Sequence, residues 1–308
     1  MNHRNKTQVM TFILMGLTED RELVPFLFIL FLLVYLVSIL ANLGMMFLIY
    51  NTSSLQTPMY TFLSFLSLVD LFYSSVITPK MLTDLLSLRK TISFNGCAIQ
   101  FFFFDTLVVT ESLLLSVMSY DRYVAICHPL HYVSAMTRKR CLGLILMVLG
   151  ISSFQSTVQT SFAFTLEYCG SNLINHFFCD IPPLLKLSCS ETLWSDCALY
   201  FFVSTCGAGS LVTTLVSYTL IALSILQMKT SKSRQKAFST CTSHLACLFI
   251  FYGTAFFSYM HPSNHDFDNQ DRVVAVLYTV VIPMLNPLIY SLRNQEVKKV
   301  ISQAIHRK

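Results

Sequence analysis

Asp70, Asp105, Glu111, Asp121 and Arg122 stand inside stretches too apolar to be solvated. A charge in hydrocarbon is costly, so each is a functional hypothesis. Asp70 follows Pro58 by twelve residues, about 18 Å along a helix. Glu111 precedes Arg122 by eleven, about 16 Å, so the two carboxyls sit at similar depth on neighbouring helices. Two close carboxylates in a dry site cannot both stay ionised. Either one is protonated or a cation such as sodium lies between them. The alternative is a neutral pair serving packing, and the rarity of idle acids in membranes favours a proton or ion switch. Asp121 and Arg122 form a local acid–base pair; alone they read as a snorkelling pair at a membrane boundary. Cys241 and His244 share a helix face, but two ligands do not make a metal site, and His244 reads as structural. His128 and His131 flank Pro129 as ordinary loop residues. No nucleophile–base set stands out, so the chemistry is switching rather than catalysis, and the chain is not read as an enzyme.

Membrane helices must position these groups. Hydrophobic residues make up 54% of the 308 and charged residues 12%, about half the charged share of a soluble domain. Uncharged runs at Val24–Tyr50, Cys141–Leu166, Cys197–Gln227 and Val273–Leu292 each meet the roughly 20 residues that cross a bilayer. Pro58–Leu82, Cys97–Ile126 and Ala237–Met260 are spans with embedded polar groups. The expectation is an all-α membrane protein: a seven-transmembrane helix bundle over residues 24–292, after an extracellular N-terminus at 1–23 and before a cytoplasmic tail at 293–308. The first apolar run is too long for a signal core and reads as an uncleaved anchor. With the N-terminus outside, 13 of the 21 Lys and Arg face the cytoplasm, a moderate positive-inside bias. Asn5-Lys6-Thr7 is a glycosylation acceptor only on that side.

Asn42 and Asn286 lie nearer the cytoplasmic end and can hydrogen-bond across the bundle. Pro283 and Pro287 bracket Asn286 and free carbonyls there, so the helix bends. Val297, Val300, Ile301, Ala304 and Ile305 recur at helical spacing beside Lys298 and Lys299. That pattern predicts a short amphipathic C-terminal helix on the inner leaflet, with membrane lipid as its partner. Cys97, Cys169, Cys179 and Cys189 fall on the oxidising side, and four cysteines allow three connectivities.

Met118-Ser119-Tyr120-Asp121-Arg122-Tyr123-Val124-Ala125-Ile126-Cys127 resembles the third-span motif of rhodopsin-like G-protein-coupled receptors, in its olfactory form. The likeness extends through Leu55–Tyr60, Lys236–Leu245, Phe251-Tyr252-Gly253, Pro283–Tyr290 and Ser291–Asn294, nearly the whole chain. Tyr252 stands where many such receptors carry a switch Trp, and the lone Trp194 is elsewhere. Gln56, Ala41 and Ser119 depart slightly from the usual residues. The outer loops suggest the tetrapod class II group.

The resemblance implies a receptor for small volatile odorants that activates a heterotrimeric stimulatory, olfactory-type G protein to raise cAMP. It implies residence in the plasma membrane of sensory-neuron cilia, no cofactor apart from a possible sodium ion at Asp70 and Glu111, and no nucleic-acid partner. Asp121, Arg122, Tyr123, Tyr218, His244, Asn286, Pro287 and Tyr290 become the coupling and switch set, with Arg122 held by Asp121 until activation. The pairings become Cys97–Cys179 and Cys169–Cys189. A ligand pocket in the outer half would be lined by Phe104, Asp105, Val108 and Ser112 of span three and Val203, Cys206 and Gly207 of span five. Tyr252, Phe256 and Tyr259 of span six and Tyr278 and Thr279 of span seven complete it. Asp105, about 9 Å nearer the outside than Glu111, would as an unpaired carboxylate beside Phe101–Phe104 attract amines. The other reading, and the favoured one, has it protonated or paired with a neighbouring helix, tuning packing only. The alternatives are a non-olfactory chemosensory receptor of the same fold or a small secondary transporter, and the sequence shows no internal repeat for the latter.

Overall fold

The computed structural model describes residues 10–18, 20–228, 230–260 and 268–306, without the side chains at 232, 236, 239, 240, 255–260, 268–271, 292, 293, 295 and 304–306. Asn5 lies outside the described residues, as do the side chains of Phe256 and Tyr259. The long helices are α1 (Val24–Asn51), α2 (Pro58–Leu86), α3 (Phe94–Cys127) and α5 (Arg138–Phe164), with the short α4 (Pro129–Ala135) between the last two. After α6 (Ile181–Leu187), the fifth span is α7 (Leu193–Phe202), a π-helical turn (Val203–Ala208) and α8 (Gly209–Gln227). The sixth is α9 (Ser231–Met260). The seventh is α10 (Asp268–Val276), a second π-helical turn (Leu277–Val281) and α11 (Ile282–Arg293), followed by α12 (Gln295–His306). Among the described residues six helices are long and apolar enough to cross a membrane, and α9 carries a shorter apolar stretch at Cys241–Thr254.

Most helices overrun the apolar runs read from sequence, because backbone hydrogen bonding continues past the last apolar side chain. The starts have local causes. Ser93 Oγ accepts from Gly96 N at 3.1 Å and Thr137 Oγ1 from Arg140 N at 3.4 Å, capping α3 and α5. Pro58 and Pro129 open α2 and α4, where a missing N–H costs nothing. α1 turns Phe26, Ile29, Leu33, Leu40 and Phe47 outward, as a lipid-facing helix must. One Pro-kinked span is legible in the sequence; Pro79 inside α2 makes a second helix with an internal proline.

The fold is helical as expected, with one small sheet added at the loops. Thr11–Leu14 forms a strand, β1, between β2 (Thr91–Ser93) and β3 (Leu173–Ile174), antiparallel to the first and parallel to the second. Phe12 and Leu14 point inward and are buried. Phe12 meets Tyr168 edge-on at 5.4 Å. Four residues of alternation are too few to signal a strand whose partners lie in two distant loops.

Two apolar cores result. One, at the end that carries the N-terminal strand (the mouth), joins Phe12, Tyr73, Phe101, Phe104, Phe177 and Phe178. The other, at the opposite end (the base), joins Leu63, Leu66, Leu115, Met118, Tyr290 and Val297. Along α2, α3 and α11 the boundary between them falls at Asp70, Glu111 and Asn286.

Candidate functional site

That boundary is a buried polar layer. Asp70 and Glu111 are both 0% exposed and Asn286 3%. Asn286 Nδ2 donates to Glu111 Oε1 at 2.9 Å and to Asp70 Oδ2 and Oδ1 at 3.1 and 3.3 Å. One amide thus holds two carboxyls together. Glu111 Oε2 has no hydrogen-bond partner, so a bare carboxylate is under-satisfied there and a proton or a small cation fits the gap. Among the described residues no group of three or more His, Cys, Asp or Glu could hold a metal.

At the base, Asp121 is fully buried and accepts two hydrogen bonds. Arg122 Nη2 reaches Oδ2 at 3.1 Å and Tyr132 of α4 reaches Oδ1 at 2.9 Å. Tyr132, missed in sequence, has its hydroxyl pKa pushed up, first by burial and then by the Asp121 charge. Tyr123 packs against the base core and bonds His128 at 3.0 Å, so His128 is more than a passive loop residue. Tyr218 and His244 meet at 2.7 Å between α8 and α9. Tyr290 is buried in the base core. Tyr60 donates to Asn294 Oδ1 at 3.2 Å, and the same oxygen accepts from Glu296 N at 3.0 Å, so Asn294 caps α12 and fastens it to α2.

Toward the mouth the expected wall residues gather only in part. Phe104 packs against Tyr278 at 6.3 Å and against Phe178 of the long loop at 4.9 Å. Ser112 contacts Ser210 at 2.8 Å, and Tyr252 donates to Ser210 at 3.0 Å, linking the third, fifth and sixth spans. Ser210, missed in sequence, is the shared partner. Val203, Cys206 and Gly207 lie in the first π turn, Tyr278 and Thr279 in the second; such turns re-aim side chains and recur at functional sites. Val108 is half-buried beside the mouth core. Thr279 is buried with its hydroxyl on its own helix, to Ala275 O at 2.7 Å. Asp105 is not an unpaired carboxylate. Its Oδ2 accepts from Ser156 of α5 at 2.7 Å, as the packing reading has it.

The mouth is roofed. Cys97–Cys179 and Cys169–Cys189 are both joined. Cys179 N donates to Gln100 Oε1 at 3.1 Å, tying the long loop to α3 beside its disulfide. Lys90 donates to the carbonyls of Met15 and Thr18, both at 3.2 Å, and Arg272 bonds Asn175 and reaches Gly16 O at 3.5 Å. Gly16 has φ +81°, a conformation that other residues rarely adopt, so the turn favours glycine. His176 stacks on Phe177 at 4.8 Å. Burial and the Arg272 charge press its pKa down to about 3. Burial raises that of Asp180 to about 6, although Ile181 N donates to it.

Comparison with known proteins follows the same lines. A family model described as "Olfactory receptor" matches residues 31–308. Olfactory receptor 5AP2 of Mus musculus is 48% identical over 306 residues, covering 99% of this chain and 96% of that protein. Olfactory receptor 5B12 of Homo sapiens is 48% identical over 301 residues, covering 98% and 96%. The crystal structure of squid rhodopsin superposes with a TM-score of 0.69 at 16% identity, covering 93% of this chain and 86% of that one, a likeness of fold.

Proposed function

The chain belongs to the olfactory receptor family, and from that premise we propose that it binds small volatile odorants near the mouth and activates a stimulatory, olfactory-type G protein to raise cAMP. It is a multi-pass plasma-membrane receptor with the seven-helix fold, not an enzyme. The carrying observation is the Asp121–Arg122–Tyr132 cluster. A buried acid that holds a neighbouring arginine and a tyrosine of the next short helix is a restraint that a partner at the base can release. The N-terminus is outside in this reading, the receptor resides in sensory cilia, and α12 lies on the inner leaflet. Glu111 and Asp70 carry a proton or a sodium ion in the resting state, which supplies what the unpartnered Glu111 Oε2 lacks.

The wall supports an apolar ligand. Phe104, Val108 and Tyr278 give buried contact, and a volatile gains affinity chiefly from such burial. The test is cAMP in cells that co-express the receptor and the olfactory G protein, exposed to a panel of volatiles. Ligand-dependent cAMP that vanishes without the G protein is expected. Ligand-driven uptake or current without it would move the reading to the transporter alternative.

A further inference from the structure

The hydroxyls at the level of the polar layer, where Tyr252 packs against the base core, can be counted proton by proton. Ser210 Oγ makes three contacts: Gly207 O at 2.9 Å, Ser112 Oγ at 2.8 Å and Tyr252 OH at 3.0 Å. A serine hydroxyl has one proton and two lone pairs. The Gly207 carbonyl can only accept, so Ser210 spends its proton there. Its two lone pairs then receive the protons of Ser112 and Tyr252. Any other assignment leaves a proton unspent in a site where Ser112 is 8% exposed and Ser210 3%, and an unmade bond in such a place is costly. The cause is local. Gly207 belongs to the π turn, and Ser210 reaches back three residues to its carbonyl.

We propose that this locked pattern makes the receptor select ligands that carry a hydrogen-bond donor. The proposal rests on the pocket reading above. Ser112 and Tyr252 have no proton left to give, so toward a ligand they present lone pairs alone. An alcohol or a phenol can donate to them. An ether, a ketone or an ester offers only acceptors and meets acceptors, so it forfeits the hydrogen bond that an alcohol makes. Ser210 is a positioning residue. It touches no ligand and fixes the direction of its two neighbours.

The test uses isomer pairs of equal size, each a primary alcohol of six to ten carbons and its isomeric methyl ether, with 2-ketones of matched length. They are assayed by cAMP dose–response on the full-length receptor at matched surface expression. Wild type should answer alcohols at concentrations about tenfold or more below those for the ethers and ketones, the size of one hydrogen bond. Ser210→Ala removes the acceptor and releases both protons. Ethers and ketones should gain and the gap should close, whereas Ser210→Thr keeps the hydroxyl and the gap. A purely structural Ser210 would weaken all ligands alike. If Ser210→Ala does not reach the surface, Ser112→Ala and Tyr252→Phe serve instead, and the alcohol advantage should shrink in each. Responses confined to acceptor-only volatiles, or a gap unchanged in these variants, overturn the proposal. Phe104→Ala and Val108→Phe separate the two failures. If neither shifts any agonist, the pocket lies elsewhere and both readings fall; if they shift agonists while the gap ignores Ser210, only the donor rule falls.

Discussion

Asn42 on α1 donates from Nδ2 to the carbonyl oxygen of Pro283 on α11 at 2.9 Å. In an unbroken helix that carbonyl would receive the N–H four residues on, but that residue is Pro287, which has none. The first helix therefore supplies the hydrogen bond that the seventh cannot make for itself. Asn42 Nδ2 also reaches Ser38 O at 2.9 Å, which fixes the amide's direction. Asn42→Leu should strand the Pro283 carbonyl in a buried site and cost roughly 1–3 kcal/mol. The melting temperature of purified receptor should fall accordingly. An unchanged melting temperature would mean that the carbonyl is satisfied by other means.

The polar layer gives a salt-specific expectation. If sodium occupies the space beside Asp70 and Glu111, receptor in sodium chloride should melt higher than in choline chloride of equal ionic strength. Stabilisation grows with the ratio of ion concentration to its dissociation constant, about 2.7 kcal/mol at a hundredfold excess. Asp70→Asn should abolish the difference. Equal melting in both salts for the wild type would leave the proton as the occupant.

Coupling should separate from ligand binding at the base. Arg122→Ala is expected to abolish odorant-evoked cAMP while the receptor still reaches the surface and binds odorant. Tyr132→Phe removes one of the two bonds to Asp121, so the restraint weakens and basal cAMP should rise several-fold, which corresponds to roughly 1 kcal/mol. Unchanged basal cAMP in Tyr132→Phe would show that the Arg122 bond alone holds the resting state.

Much of this arrangement was legible in the residues, for reasons that explain the rest. Asp70, Glu111 and Asn286 announce themselves because polar groups in apolar runs are rare, and helical rise alone puts the two acids at one depth. Their meeting on a single amide nitrogen needed the bundle. Ser210 and Tyr132 carry no such signal: a serine in a membrane helix and a tyrosine after Pro129 are commonplace, and each matters only through partners 98 and 11 residues away. The π turns left no mark either, since one extra residue per turn does not disturb an apolar run. Strand β1 was hidden because both of its partners are non-local. For Asp105 the favoured reading already paired it with a neighbouring helix, and the fold names the partner as Ser156.

The two disulfides should differ in weight. Cys97–Cys179 closes 82 residues and Cys169–Cys189 closes 20. By loop-closure entropy the shorter one stabilises about 1 kcal/mol less. Cys97→Ser or Cys179→Ser should therefore remove surface expression or response, and Cys169→Ser should reduce it less. A peptide map that joined Cys97 to another cysteine would refute the connectivity.

His176 should make the roof acid-sensitive, with Asp180 acting against it. The folded pKa of His176, about 3, lies below its unfolded value near 6.5. As pH falls through 6.5, the unfolded loop takes up a proton that the folded one refuses, so stability declines. Asp180 has the reverse sign. Its folded pKa of about 6 exceeds the unfolded value near 3.9. Below pH 6 the folded loop therefore binds the extra proton, and acid stabilises it. Melting temperature should drop from pH 7.5 to 6 and then flatten toward pH 5 as the two slopes cancel. His176→Phe, which keeps a ring against Phe177 and Phe178, should lose the drop and gain stability below pH 6. Asp180→Asn should keep falling where the wild type flattens. If His176→Phe follows the wild-type curve throughout, the acid sensitivity of this roof comes from some other group.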